Sequence, residues 1–412
     1  MTIGTETQMR ALIETVVSET PILDIHTHLY PEEFGPMLLW GIDEMLTYHY
    51  LVAETCRYVE LASFWALSRR EQADLVWQTL FLDHSPVSEA CRGVLTVLQQ
   101  LGLDTGSRDL NAYRRYFAQL TPAAYLDRIF TLANVKGVIM TNDPFDELER
   151  RVWERGFDPN PRFQAALRLD GLLNNWPTAV PLLRGWGYQV EDTLTVVTVA
   201  EVRGFLTDWI TRMDARYLAV SLPPTFRMPE YSPRGALISE AVLPVCAEQR
   251  KALALMIGAK RRVNPELGAA GDGVGAADVG AVEYLCATYP QNKFLVTMLA
   301  RENQYELCVA ARKFRNLHPF GCWWFLNNPS LIGEMTRMRL ELLGLNFTAQ
   351  HSDARVLEHL VYKWEHSRTV ITDVLTDKYN DLAATGWQVT EAEIRRDVQE
   401  LFGGAFQRFL AG

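Results

Sequence analysis

Eight short apolar runs punctuate the chain, at residues 22–26, 135–140, 163–169, 217–222, 252–257, 293–299, 320–325 and 346–350. Several are apolar at successive positions instead of alternate ones, as parallel strands covered on both faces must be. Helical patterns separate the later runs. Residues 233–250, 279–288, 302–317 and 330–343 each precede one of them, and Gly344 is placed to stop the last helix. Strand and helix alternating eight times predict an α/β fold, a (β/α)8 TIM-type barrel. A doubly wound open sheet is the competing architecture.

Two segments fall outside this alternation. Residues 30–134 separate the first two strands, far more than the usual few-residue connection, so they should form a structured insertion over the barrel mouth. Their periodicity is helical, over 42–54, 69–82, 88–101, 109–119 and 122–132. The stretch after the barrel also reads as helical, with Thr390 and Glu393 spaced as a capping box before residues 394–410. The expected organisation is therefore an N-terminal segment with the first strand (1–29), the helical insertion (30–134), the remaining barrel (135–355) and C-terminal helices (356–412). Residues 259–280 are rich in Gly and Ala and contain Gly271-Asp272-Gly273-Val274-Gly275-Ala276. That run lies about a dozen residues past its strand, not in a tight strand–helix turn, so it is no dinucleotide fingerprint. It reads as a flexible loop over the barrel mouth.

Composition narrows the function classes. The chain has 412 residues, 48% hydrophobic and 22% charged, with a net charge of -10. No basic block stands out, which argues against a nucleic-acid partner. No apolar run approaches the roughly 18 residues of a membrane span, and residues 1–18 lack the apolar core of a signal peptide. Six scattered cysteines without a C-x-x-C pair suit free thiols in a reducing cytoplasm.

The candidate chemistry begins at the end of the first strand. His26 and His28 are two residues apart, so a strand points both to one side. In a closed barrel the last strand neighbours the first, and Asp353 then joins them. The eight histidines are His26, His28, His49, His84, His318, His351, His359 and His366, so strands two to six supply none. A two-metal barrel hydrolase needs histidines from the fifth and sixth strands and a lysine from the fourth. What remains is His26, His28 and Asp353, three ligands for one catalytic divalent ion with open positions. Zinc is the first expectation, and nitrogen–oxygen ligation also suits manganese, cobalt or iron. The alternative is that the two histidines are ordinary strand-end residues.

Charged and aromatic residues gather beside this trio. Arg355 follows Asp353 by two and would share its direction while the strand continues. Arg168 ends the third strand, where an arginine is expensive to bury without an anion. It either pairs with an acid such as Asp170 or Asp143, or grips a substrate carboxylate. Tyr48, His49 and Tyr50 lie early in the insertion, where they could hang over the metal and shuttle protons, or simply pack. Trp323 and Trp324 end the seventh strand, and one should wall the pocket or fill the core.

Together these motifs resemble the uronate isomerase (glucuronate isomerase) family of the amidohydrolase superfamily. The likeness runs through Asp24-Ile25-His26-Thr27-His28, Leu46-Thr47-Tyr48-His49-Tyr50, Arg168 with Leu172-Leu173-Asn174-Asn175-Trp176, Trp323-Trp324 and His351-Ser352-Asp353-Ala354-Arg355. The resemblance implies a distorted barrel, one zinc-like ion on His26, His28 and Asp353, and aldose–ketose isomerisation of D-glucuronate and D-galacturonate. It implies substrate or proton-transfer roles for His49, Tyr50, Arg168 and Arg355; of the two tryptophans, Trp324 is the candidate for the substrate pocket wall. Many members carry a histidine on the fifth strand, where this chain has Met256.

The chemistry expected is a proton moved from C2 to C1 through an enediol, without nicotinamide or flavin. Tyr50 is the expected proton carrier, its pKa lowered by nearby positive charge, with Asp353 as both ligand and base. A cytoplasmic homo-oligomer is expected. The competing readings are a mononuclear metal-dependent hydrolase or decarboxylase on the same scaffold, and a silent sugar-acid binding protein.

Overall fold

The computed structural model describes residues 6–158 and 160–412. Residues 1–5, part of the expected N-terminal segment, and Pro159 lie outside the described residues. Among the described residues one parallel sheet carries seven strands, paired in chain order. They are β1 (Ile22–Thr27), β2 (Val135–Asn142), β3 (Phe163–Arg168), β4 (Leu218–Leu222), β5 (Ala252–Ile257), β6 (Lys293–Met298) and β7 (Leu317–Pro319). β1, β4 and β5 are buried at every position. That explains why their apolar runs do not alternate: helices cover one side and barrel packing the other.

An irregular segment fills the eighth place. On one side, Thr348 N donates to Pro319 O at 3.1 Å and Gly321 N to Thr348 O at 2.9 Å. On the other, Asp353 N donates to His26 O at 3.2 Å and His28 N to Ala354 O at 2.7 Å. These bonds curl the sheet shut into the TIM-type barrel. The expected strand at 346–350 is thus only a single bridge, at Thr348.

The expected strand at 320–325 is also displaced. The ladder ends at Pro319, and Trp324–Leu326 is a short 3-10 turn. Gly321 causes the departure. Its φ is +62°, and a Cβ there would lie 1.8 Å from His351 Nδ1. The chain must therefore turn at a residue without a side chain.

The insertion is helical as its periodicity predicts, with one break. Residues 42–54 form two helices, Ile42–Leu46 and His49–Thr55. Thr47 Oγ1 bonds back to Asp43 O at 2.7 Å, and Tyr48 is extended. The insertion continues with helices Arg69–Trp77, Glu89–Gln100, Leu110–Phe117 and Pro122–Ala133, and with a short one at Leu61–Trp65. Ser68, Ser88 and Asp109 cap the first three of these, each accepting a backbone N–H from the first turn. After the barrel, helix His359–Ala384 packs on both the barrel and the insertion, and the Thr390–Glu393 capping box opens Glu391–Gln399. Among the described residues no helix is long and apolar enough to cross a membrane.

One buried acid ties the insertion to the barrel's last turn. Glu358 Oε1 accepts Gly41 N at 2.6 Å, while its Oε2 has no partner among the described residues. Burial pushes this carboxyl up to about 7. An acid raised above its unfolded value of about 4.3 adds stability below that pH and loses it as pH rises through the folded value. Glu358→Gln keeps the acceptor and removes the charge. The unfolding midpoint of the parent should therefore fall relative to the variant between about pH 4.5 and 7. Parallel midpoint curves for the two proteins would contradict this.

Candidate active site and metal centre

The C-terminal ends of the strands open into a cavity of about 200 Å³. β1 contributes His26 and, one residue past its end, His28. β2 contributes Thr141, β3 Arg168, β4 Ser221, β5 Met256, and the eighth segment Asp353. The insertion adds Tyr48 and His49, and the turn after β7 adds Trp323 and Trp324. This is the face on which a barrel of this type builds its sites, because its loops converge there.

His26, His28 and Asp353 form a compact donor set, with one ligand atom of each within 4.8 Å of the others. Asp353 Oδ1 lies 3.5 Å from His26 Nε2 and 3.4 Å from His28 Nε2. It has no hydrogen-bond partner among the described residues. The tautomer of His28 follows from its neighbours. Thr141 Oγ1 lies 3.0 Å from both Thr27 O and His28 Nδ1. A carbonyl only accepts, so the threonine hydroxyl donates to Thr27 O and accepts from His28 Nδ1–H. The Nε2 lone pair then faces Asp353, as a metal ligand requires. Burial lowers the pKa of both histidines, which keeps them neutral. Two neutral imidazoles and a carboxylate sharing one spot can hold a divalent ion.

Arg168 is brought into the same cavity, already paired. Its Nε lies 2.9 Å from Asp170 Oδ2 and its Nη2 donates to Asp170 Oδ1 at 3.0 Å. Asp170 also accepts Ser221 N at 3.2 Å. The ion-pair alternative is therefore present, and it coexists with a place in the cavity wall. Burial opposes the charge on Arg168, but Asp170, together with Asp143 and Tyr30, outweighs it and raises the guanidinium pKa.

Arg355 and Tyr50 sit elsewhere. Asp353 has a left-handed φ of +53°, so the two-residue alternation that would aim Arg355 at the metal stops there. Arg355 instead donates to Met37 O at 2.7 Å and His28 O at 3.3 Å, and covers the Tyr30 ring. Tyr50 lines an adjoining cavity of about 270 Å³, which shares His49 and Trp324 with the first. Its ring packs 4.4 Å from His49 and 5.1 Å from Tyr48, centroid to centroid. Burial drives the Tyr50 phenol well above its ordinary value, and Tyr48 and Asp353 add to this. Arg355 is not among the groups that act on it. Tyr48 is the tyrosine in the cavity wall.

The Gly-rich stretch is also more ordered than its composition suggests. Ala259–Lys260 and Gly273–Val274 form a two-residue antiparallel ribbon. Arg261 and Asp272 pair at 2.6 Å and both line the cavity, which sequence patterning missed. Trp65 Nε1 donates to Glu266 O at 2.9 Å and ties this hairpin to the insertion.

The Thr141 contact gives a test. Thr141→Val keeps the shape and removes the acceptor for His28 Nδ1–H. Such outer contacts govern metal affinity by about 10–100-fold. The parent should bind one Zn2+ per chain, and the variant should bind it more weakly by that factor in competition with a chromophoric chelator. Two ions per chain, or equal affinities, would count against the site.

No protein-family model matches the chain, and no curated protein does. Solved structures do. A uronate isomerase from Bacillus halodurans C-125 is 56% identical, with a TM-score of 0.98, covering 99% of this chain and 97% of that one. A uronate isomerase from Thermotoga maritima is 16% identical, with a TM-score of 0.79 and full coverage of both chains, 100% and 100%. A glucuronate isomerase from Caulobacter crescentus is 15% identical, with a TM-score of 0.80, covering 98% of this chain and 94% of that one. The last two show a shared fold. The first matches over nearly the whole chain.

Proposed function

Because this chain belongs to the uronate isomerase family, we propose that it interconverts hexuronates between aldose and ketose forms, D-glucuronate to D-fructuronate and D-galacturonate to D-tagaturonate. The observation that carries the reading is one cavity holding a His26–His28–Asp353 donor set beside Arg168. The 56% identity to a uronate isomerase over nearly the full chain supports it.

Isomerisation moves a proton from C2 to C1 and another from the C2 hydroxyl to the C1 oxygen, through an enediol. A bound divalent ion, zinc in this reading, would polarise the two oxygens. Asp353 belongs to that donor set and serves as ligand and base. Arg168 presents its guanidinium to the substrate carboxylate, and it supplies the positive charge that lets a chain of net charge -10 bind an anion. Asp170 fixes the fork in one orientation. Tyr48 and His49 line the reacting space and Tyr50 backs them, so this segment handles the oxygen-bound protons. Trp323 and Trp324 exclude water from one wall. No step needs a redox cofactor. Six free cysteines support placing the enzyme in a reducing cytoplasm.

The deciding experiment follows the C2–H of D-glucuronate by NMR in D2O with the metal-supplemented protein. That signal should be lost or transferred as the ketose appears. An unchanged sugar, or one merely shifted on binding, would end the isomerase reading. Tyr50→Phe should then lower kcat by about 10²–10⁴-fold if its hydroxyl carries a proton. Normal turnover in Tyr50→Phe with that loss in Tyr48→Phe would move the role to Tyr48.

Arg168→Met should weaken uronate binding. Truncating one partner of a buried charge pair costs about 2–5 kcal/mol, and here it also strands Asp170. The double variant Arg168→Met/Asp170→Asn removes both charges and separates the effects. It should recover much of the unfolding midpoint while the raised KM persists. Recovery of KM together with stability would assign Arg168 to structure alone.

A further inference from the structure

A buried lysine without a contacting carboxylate lies behind this site. Lys363, on helix His359–Ala384, is 3% exposed and makes no ion pair among the described residues. Taking an ammonium out of water without a counter-ion in contact is costly, and an apolar side chain would suit a purely structural place better. Two contacts show what the charge meets. Nζ donates to Ser352 O at 2.7 Å, and it lies 5.3 Å over the centroid of the Tyr50 ring.

Both contacts lead to the site. Ser352 immediately precedes Asp353, and its peptide groups are gripped from two sides. Its N–H donates to both oxygens of Asp24, at 3.1 and 3.2 Å. Its carbonyl accepts Lys363 and also Asn327 Nδ2 at 3.0 Å. The residue held by this grip has a φ of +53°, a conformation that a side-chain-bearing residue avoids unless its surroundings impose it. A point charge on the Ser352 carbonyl fixes the peptide that leads into that turn. The same charge rests on the electron-rich face of Tyr50, whose ring also packs against Tyr48 and His49.

We propose that Lys363 is a positioning residue. It holds Asp353 in its left-handed turn through the Ser352 carbonyl and seats Tyr50 through its ring. The carboxylate ligand and the proton-handling segment thereby keep one fixed relation. The Tyr50 half rests on the isomerase reading; the Asp353 half does not.

Lys363→Met removes the charge and the donor and keeps the length. The variant should unfold cooperatively, yet bind Zn2+ at least about 10-fold more weakly, the usual scale for lost outer support of a ligand. Its Co2+-loaded form should show an altered visible spectrum. At saturating Zn2+, kcat should fall about 10-fold or more while KM changes little, as expected when orientation is lost and binding is not. Lys363→Arg, which keeps a charged donor, should recover part of both losses. Should Lys363→Met fail to fold, Asn327→Ala withdraws the other side-chain donor from Ser352 O, and it too should weaken Zn2+ binding. Parental Zn2+ affinity and Co2+ spectrum in the folded variant overturn the proposal. A weakened metal site with unchanged turnover per bound ion overturns the Tyr50 half. The metal measurements need no substrate, so failure of the isomerase reading would leave them intact.

Discussion

The structure depends on how its barrel is closed, and one buried carboxylate holds the seam. Asp24 is fully buried on β1, between the two faces that must meet. Both its oxygens accept Ser352 N, at 3.1 and 3.2 Å, and Oδ2 also accepts Trp364 Nε1 at 2.8 Å. One side chain thus joins the first strand, the eighth segment and the following helix. Burial raises its pKa to about 6, so these donors only partly offset the cost of removing the charge from water. An ordinary eighth strand would not need the acid. Here the segment is irregular, and the side chain supplies hydrogen bonds that a ladder would otherwise make.

The irregularity is what brings the candidate donor set together. A regular strand would send Asp353 and Arg355 to the same side and leave the carboxylate in line with its own backbone. The left-handed turn at Asp353 lets its backbone N–H reach His26 O while Oδ1 faces both imidazoles. The site therefore straddles the closure. Its two halves lie over three hundred residues apart in sequence, yet the same few hydrogen bonds that complete the fold also complete the donor set. Stability and function are tied together here, because loosening the seam would also spread the ligands.

The other walls come from parts of the chain that the barrel alone would not place. The break at Thr47 turns Tyr48 and His49 over the strand ends, where one continuous helix would carry them past. The hairpin after β5 adds Arg261 and Asp272 to the cavity wall, and Trp65 pins it to the insertion. Met256 lines the cavity from β5, and its thioether contributes packing there and no nitrogen ligand.

Much of this was legible in the chain. Unbroken apolar runs gave strands buried on both faces, because a parallel sheet under helices has no wet side. The caps at Ser68, Ser88, Asp109 and Thr390 are local chemistry and fall where their residue types demand. His26 and His28 share a side because a strand's period is two, and the absence of histidine from 85 to 317 left Asp353 as the third candidate ligand. Tertiary structure decided the rest. The turns at Gly321 and Asp353 answer to His351 and Asp24, distant residues that no local periodicity registers. Those turns ended β7 early, took Arg355 out of the cavity and put Lys363 behind it. Sequence spacing fixes directions only while the backbone stays regular, and this site sits where the regularity ends.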